Sequence, residues 1–172
     1  GAGMRQIRGK TVDFGASDAP LNDADLAKDG LIQFPTVIGG VVPVINIPGI
    51  QTREMRLTGQ VLGDIYLGKI TKWNDPAITR LNQSMPPGDI TVVYRSDESG
   101  TTDNFQQYLD IAADGAWGKG TGKTFNGDVG VGAKGNEGTS AMVKNTEGAI
   151  TYNEFSFAQA ERLKTAKILT PA

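Results

Sequence analysis

The tightest constraint on the fold is the junction at residues 90–113. Ile90 to Tyr94 (ITVVY) is a short β-branched run typical of a buried strand. From Asp103 to Ala113, apolar residues fall at Phe105, Tyr108, Leu109 and Ala112, which is helical spacing. Arg95-Ser-Asp-Glu-Ser-Gly-Thr-Thr102 must therefore turn a strand into a helix within a few residues. A helix start leaves backbone N–H groups without partners, and the macrodipole makes that end positive. Gly100 lets an anion approach the backbone, the hydroxyls of Ser99, Thr101 and Thr102 can donate, and Arg95 adds a planar fork for two oxygens. The same residues also read as an ordinary helix cap beside a surface arginine. Asp97, two residues after Arg95, suits an ion pair that holds the guanidinium, or a solvated loop acid.

Strand-like and helix-like segments alternate along the chain. Val12 to Ala16 reads as a strand closed by Ser17-Asp-Ala-Pro20. Asn22 to Lys28 reads as a short helix with Gly30 just past its end. Ile32 to Ile47, the most apolar segment, is broken by Pro35, Gly39-Gly40 and Pro43. It predicts an extended passage, a crossover at Gly39-Gly40 and a strand ending at Asn46. Thr58 caps a helix with Val61, Leu62, Ile65 and Tyr66 on its inner face and Gly68 as its stop. Asp75-Pro76 opens another. Gly115 to Gly138 is glycine-rich and poorly patterned. Gly138 to Asn145 predicts a helix and Ala149 to Tyr152 a strand, while Asn153 to Leu163 passes from strand into helix. Residues 166–172 predict a strand, and Gly1-Ala2-Gly3 enters a weak helix at Met4 to Gly9 as though in mid-element. The alternation predicts an α/β fold with a central, mainly parallel sheet, whose ligands sit at the carboxyl ends of strands. On this reading both Asp18 and Arg95 fall there, and Tyr66, Trp73 and Trp117 are packing aromatics.

Composition removes several chemistries. The 172 residues contain no cysteine and no histidine, so no thiolate, imidazole base or imidazole metal ligand is available. A net charge of −2 argues against nucleic acid as a partner. No apolar run of about eighteen residues is present. Gly118 to Thr124 (GKGTGKT) ends like a phosphate-binding P-loop, but the pattern requires glycine where Trp117 stands, and no strand precedes it. A nucleotide-binding enzyme using Lys123 and Thr124 is the weaker alternative. Gly135 to Thr139 is another glycine-bearing helix entry. Asp18, before Ala19-Pro20, is a turn-former unless it faces the Arg95 junction. An ionised carboxylate there would accept a hydrogen bond only from a ligand that carries a proton, favouring hydrogen phosphate over sulfate.

Thr11 to Leu21 (TVDFGASDAPL), Phe34 to Pro48 (FPTVIGGVVPVINIP), Leu62 to Trp73 (LGDIYLGKITKW) and Arg95 to Thr101 together resemble the PstS family, the phosphate-binding proteins of bacterial phosphate ABC importers. The resemblance implies a periplasmic or cell-surface solute-binding protein of two α/β lobes that close on one phosphate. It implies no catalysis, no cofactor and no metal, with the importer's membrane subunits as partners. Asp18 matches the family's proton-accepting aspartate, Arg95 its arginine, Asp97 the acid paired with that arginine, and Ser99, Gly100 and Thr101 the donors at the helix start. It further implies that residues 1–38 are part of a first lobe, 39–152 a complete second lobe, and 153–172 a crossover back. A threonine–phenylalanine pair and a serine would precede Gly1. The alternative within the same resemblance is an isolated lobe or fragment that binds no phosphate and self-associates through exposed apolar residues at Val12 to Ala16 and Ile168-Leu169.

Overall fold

The computed structural model describes residues 2–170. Helix α1 (Ala2–Arg8) and helix α2 (Asp23–Asp29) come first, then strand β1 (Val41–Asn46), β2 (Arg56–Thr58), α3 (Gly59–Tyr66), α4 (Pro76–Thr79) and β3 (Thr91–Arg95). There follow α5 (Gly100–Ala112), β4 (Val131–Ala133), α6 (Gly135–Lys144), β5 (Ala149–Glu154), α7 (Phe155–Ala160), β6 (Lys164–Thr165) and β7 (Lys167–Leu169). The helix starts follow the capping chemistry of the sequence. Asn22 accepts from the Asp25 N–H, Thr58 from that of Val61, and Asp75 from that of Ala77 with Pro76 in the first turn. Gly30 closes α2 at φ 65°, a conformation that costs glycine least.

The fold is α/β, as expected. Its main sheet has the order β4-β3-β5-β1-β6. Strand β3 runs parallel to both β4 and β5, while β1 runs antiparallel to β5 and β6, so the parallel half is the one that ends at Arg95. Strands β2 and β7 form a separate parallel pair. The two-residue period of the strands divides the core. Ile45, Val92, Ile150 and Tyr152 face α3 and α5, packing on Leu62, Ile65, Tyr66, Phe105 and Leu109. Val44 and Val93 face the other way, against Val143, Ala158 and Leu163. Tyr66, Trp73 and Trp117 are buried, as the sequence suggests, and both indole N–H groups are satisfied, by Gly148 O and Gly120 O.

Several elements differ from expectation. Val12 to Ala16 forms no strand. A strand persists only where a neighbour satisfies its backbone. This segment lies on the first turn of α1, so closely that a Cβ on Gly3 would fall 2.5 Å from the Ala16 carbonyl oxygen. Residues 31–40 pass without regular structure, leaving Ile32, Phe34, Val37 and Ile38 exposed, as is Phe14. Strands β2, β4 and β6 arise in stretches with no pattern of their own. Helix α6 starts at Gly135, three residues earlier than its apolar spacing implies. The strand expected over 166–172 is confined to β7, and Pro171 and Ala172 lie outside the described residues. No helix among the described residues is long and apolar enough to cross a membrane.

Candidate anion-binding site

Strand β3 carries Arg95 at its carboxyl end, and Asp97 engages it side-on. Arg95 Nε donates to Asp97 Oδ1 at 2.8 Å and Nη2 to Oδ2 at 2.6 Å. A third nitrogen, Nη1, donates to Asn136 Oδ1 at 3.2 Å. A guanidinium has five N–H groups. Among the described residues three are engaged, which leaves one on each terminal nitrogen. The ion pair is a firm one, with the Arg95 side chain only 12% exposed and Asp97 31%. Asp97 Oδ1 also accepts from the Gly135 N–H at 3.0 Å. The glycine-bearing entry to α6 is thus occupied by an anion from within the chain. That carboxylate also explains the early start of α6, whose cap residue Lys134 supplies no side-chain bond.

These contacts set the charge states. The Arg95 hydrogen bond, aided by the Gly135 N–H and opposed by burial, holds the Asp97 carboxyl far below the usual carboxylate range. The same bond raises Arg95. A group whose folded value is depressed contributes stability above its unfolded value and loses it as pH falls towards the folded one. With an ordinary aspartate near about 4, the pair is at full strength at neutral pH and weakens only below that value. Asp97→Asn is therefore expected to be less stable than the parent at pH 7, with a gap in melting temperature that narrows steadily on acidification below about pH 4. A gap that stayed constant from pH 7 to pH 2 would contradict the assignment.

Helix α5 begins beside this pair. Ser99, extended at φ −143° and ψ 133°, caps it by accepting from the Thr101 N–H at 3.1 Å. That bond uses a lone pair, so the Ser99 hydroxyl proton remains for another acceptor. Ser99 and Thr101 are both buried. Thr102 turns inward instead. Its hydroxyl pairs with the Tyr152 hydroxyl at 2.6 Å, and the same Tyr152 oxygen accepts from the Arg95 backbone N–H at 3.2 Å. Phe105 stacks on the Tyr152 ring at 4.3 Å, and burial pushes the phenol upward, keeping it a neutral hydroxyl.

Asp18, about eighty residues away in sequence, reaches the same helix start. A Cβ on Gly100 would fall 2.6 Å from Asp18 Cβ and 3.1 Å from Ala19 N, so the two backbones meet only because residue 100 is glycine. Asn104 bridges them, donating to Asp18 O at 3.2 Å and to Gly100 O at 2.9 Å. The Ser17-Ala19 turn is closed by a 2.8 Å bond from Ser17 Oγ to Ala19 O. The segment 17–20 thus meets the start of α5, although not from the end of a strand. Glu98 points elsewhere, 3.6 Å from Arg5. Asn136, Tyr152 and Asn104 were not singled out in the sequence. Asn136 lay inside a recognised helix entry, but nothing there pointed towards Arg95.

The 118–124 loop does not build a P-loop. Its Gly122 N–H is bound to Asp103 Oδ1, and the next element is strand β4 rather than a helix. Among the described residues no group of three or more carboxylates is placed to hold a metal ion.

The two-sided α/β sheet with its donor-rich strand-to-helix turn has counterparts among known proteins. The chain belongs to the PBP superfamily domain family, whose model matches residues 1–171. It is 51% identical over 180 residues to phosphate-binding protein PstS 3 of Mycobacterium leprae and 46% identical over 175 residues to phosphate-binding protein PstS of Pasteurella multocida. Both alignments cover 100% of this chain but 48% and 51% of those proteins, so the chain spans about half the length of the curated relatives it matches. The resemblance read in the four sequence segments thus extends along the whole chain. Among solved structures, the substrate-binding protein assigned to a phosphate ABC transporter in Clostridium perfringens, crystallised with phosphate, superposes with a TM-score of 0.74 at 23% identity, covering 97% of this chain and 60% of that one. The phosphate-binding protein of Stenotrophomonas maltophilia superposes with a TM-score of 0.68 at 20% identity, over 96% and 55% of the two chains. These two likenesses concern the fold.

Proposed function

We propose that this chain carries the main part of a site that reversibly binds inorganic phosphate, as the solute-binding component of a phosphate ABC importer. The observation behind this reading is the packing of Asp18 on Gly100 beside Arg95, which gathers an acceptor, two hydroxyls and a fixed cation at one helix start. The names of the relatives support it. Arg95 supplies charge-assisted donors, and Asp97 holds them in one orientation. Ser99, Gly100 and Thr101 donate from the helix start, and Asp18 accepts the ligand's proton. The role is one of capture without catalysis, in the periplasm or at the cell surface, with delivery to the importer's membrane subunits. Residues 1–38 would belong to one lobe, 39–152 to the other and 153–172 to the return crossover. The exposed apolar residues between Phe14 and Ile38 would lie against the remainder of the first lobe, or against another copy of the chain where that is missing.

Discrimination against sulfate follows from Asp18. Sulfate has no proton to donate at neutral pH, so two acceptors would face each other without solvent. Asp18→Asn, which supplies a donor at the same place, is expected to narrow the phosphate-over-sulfate preference by at least about tenfold in calorimetric titration. An unchanged ratio of the two affinities would remove the role assigned to Asp18.

A further inference from the structure

The glycine-rich loop at 118–126 has no place in the site described so far. It nevertheless touches that site directly. The Ser99 backbone N–H donates to the Lys123 carbonyl at 3.0 Å, so the residue that caps α5 hangs from this loop. Several side chains hold the loop, Trp117 through Gly120 O and Asn126 through Lys119 O and Thr121 O, and Gln106 does so from within the helix that Ser99 caps. Gln106, buried completely within α5, donates through Nε2 to Gly122 O at 2.8 Å and Thr124 O at 2.9 Å, and accepts from the Asn126 N–H at 2.8 Å. Asp103 adds the bond from the Gly122 N–H at 2.9 Å. On its outer side the loop reaches α1, where Lys123 Nζ donates to Met4 Sδ at 2.8 Å.

A loop of this composition has little reason to hold one shape. It contains Gly118, Gly120 and Gly122, all at positive φ, and glycine carries the greatest conformational freedom of any residue. Nor does it form a strand or helix that would satisfy its own backbone. A buried amide with three bonds to three loop residues replaces that missing regularity. The consequence for the anion site is specific. The Ser99 N–H is held on Lys123 O while its side-chain oxygen accepts from Thr101, and these two bonds together fix where the hydroxyl group lies.

We infer that Gln106 is a positioning residue for the anion site: by fixing the 118–126 loop it sets the orientation of Ser99, without touching the ligand. The inference rests on the proposed function for the identity of the anion, but not for the geometry.

The test is Gln106→Met, which keeps length and burial but removes all three bonds. Two readouts are taken on the isotope-labelled 172-residue chain, hydrogen exchange of the Ser99 amide and titration with inorganic phosphate. Exchange at Ser99 is expected to accelerate by about tenfold relative to the Leu109 amide in the same helix, and phosphate affinity to fall by about tenfold. Ile78→Val, a substitution in the buried core, serves as the control for general destabilisation and is expected to leave both quantities unchanged. Unaltered Ser99 exchange in Gln106→Met, or equal losses in the control, would overturn the inference. A parent chain with no phosphate affinity would instead overturn the proposed function, and the Ser99 exchange ratio then decides this inference alone.

Discussion

Arg95→Met is expected to lower phosphate affinity by about three orders of magnitude. Truncating one partner of a desolvated charge pair costs about 2–5 kcal/mol, and each 1.4 kcal/mol is about tenfold in affinity. Arg95 stands at the upper end of that range because it has two duties. It presents one N–H on each terminal nitrogen, and it neutralises Asp97, whose carboxylate would otherwise repel an incoming anion. Arg95→Lys should fall between the two. An ammonium keeps the charge but cannot reach Asp97 at two points and Asn136 at a third, so the donor is no longer aimed. Titration of both variants by calorimetry distinguishes the contributions. An Arg95→Met protein that binds within about tenfold of the parent would show that the guanidinium is an ordinary surface group beside a helix cap.

The second large effect concerns a single methyl group. Gly100→Ala places a Cβ 2.6 Å from Asp18 Cβ and 3.1 Å from both the Asp18 carbonyl carbon and the Ala19 nitrogen. None of these atoms can yield without moving residues 17–20. The substitution should therefore displace Asp18 from the helix start and break the Asn104 bridge, lowering phosphate affinity by at least about tenfold. Gly100 is the first residue of α5, and alanine is no worse than glycine as a helix former. The expected outcome is thus a loss of binding without a comparable loss of α5 stability, read by titration together with thermal melting followed by circular dichroism. Parallel losses in both, or none in either, would contradict the close approach of the two segments.

How much of this was legible before the structure depends on how local each determinant is. Helices α2, α3 and α4 begin at Asn22, Thr58 and Asp75, residues whose side chains act within a single turn, and these were read correctly. Strands β1, β3 and β5 are β-branched runs that their composition announces. Strands β2, β4 and β6 have only two or three residues and exist because of their partners, so no local pattern marks them. Val12 to Ala16 shows the converse, a strand-like composition with no neighbour to pair with. The site follows the same rule. Arg95, Asp97, Ser99, Gly100 and Thr101 are nearly contiguous and stood out at once as a group. Asn136, Tyr152 and Gln106 enter through hydrogen bonds that span sixteen to fifty-seven positions of sequence. The contact between Asp18 and Gly100 could be expected only from family resemblance, since nothing in the spacing of the two segments requires it.

The central claim is that one helix start, joined by Asp18 and Arg95, receives a protonated phosphate. Its most direct test is a residue-resolved titration of the isotope-labelled chain, once with phosphate and once with sulfate, followed by amide and guanidinium NMR signals. The account predicts saturable shifts with phosphate at Gly100, Thr101, Asp18 and the Arg95 side chain, and much smaller shifts with sulfate at the same ionic strength. Identical responses to the two anions, or phosphate shifts confined to other parts of the surface, would contradict it.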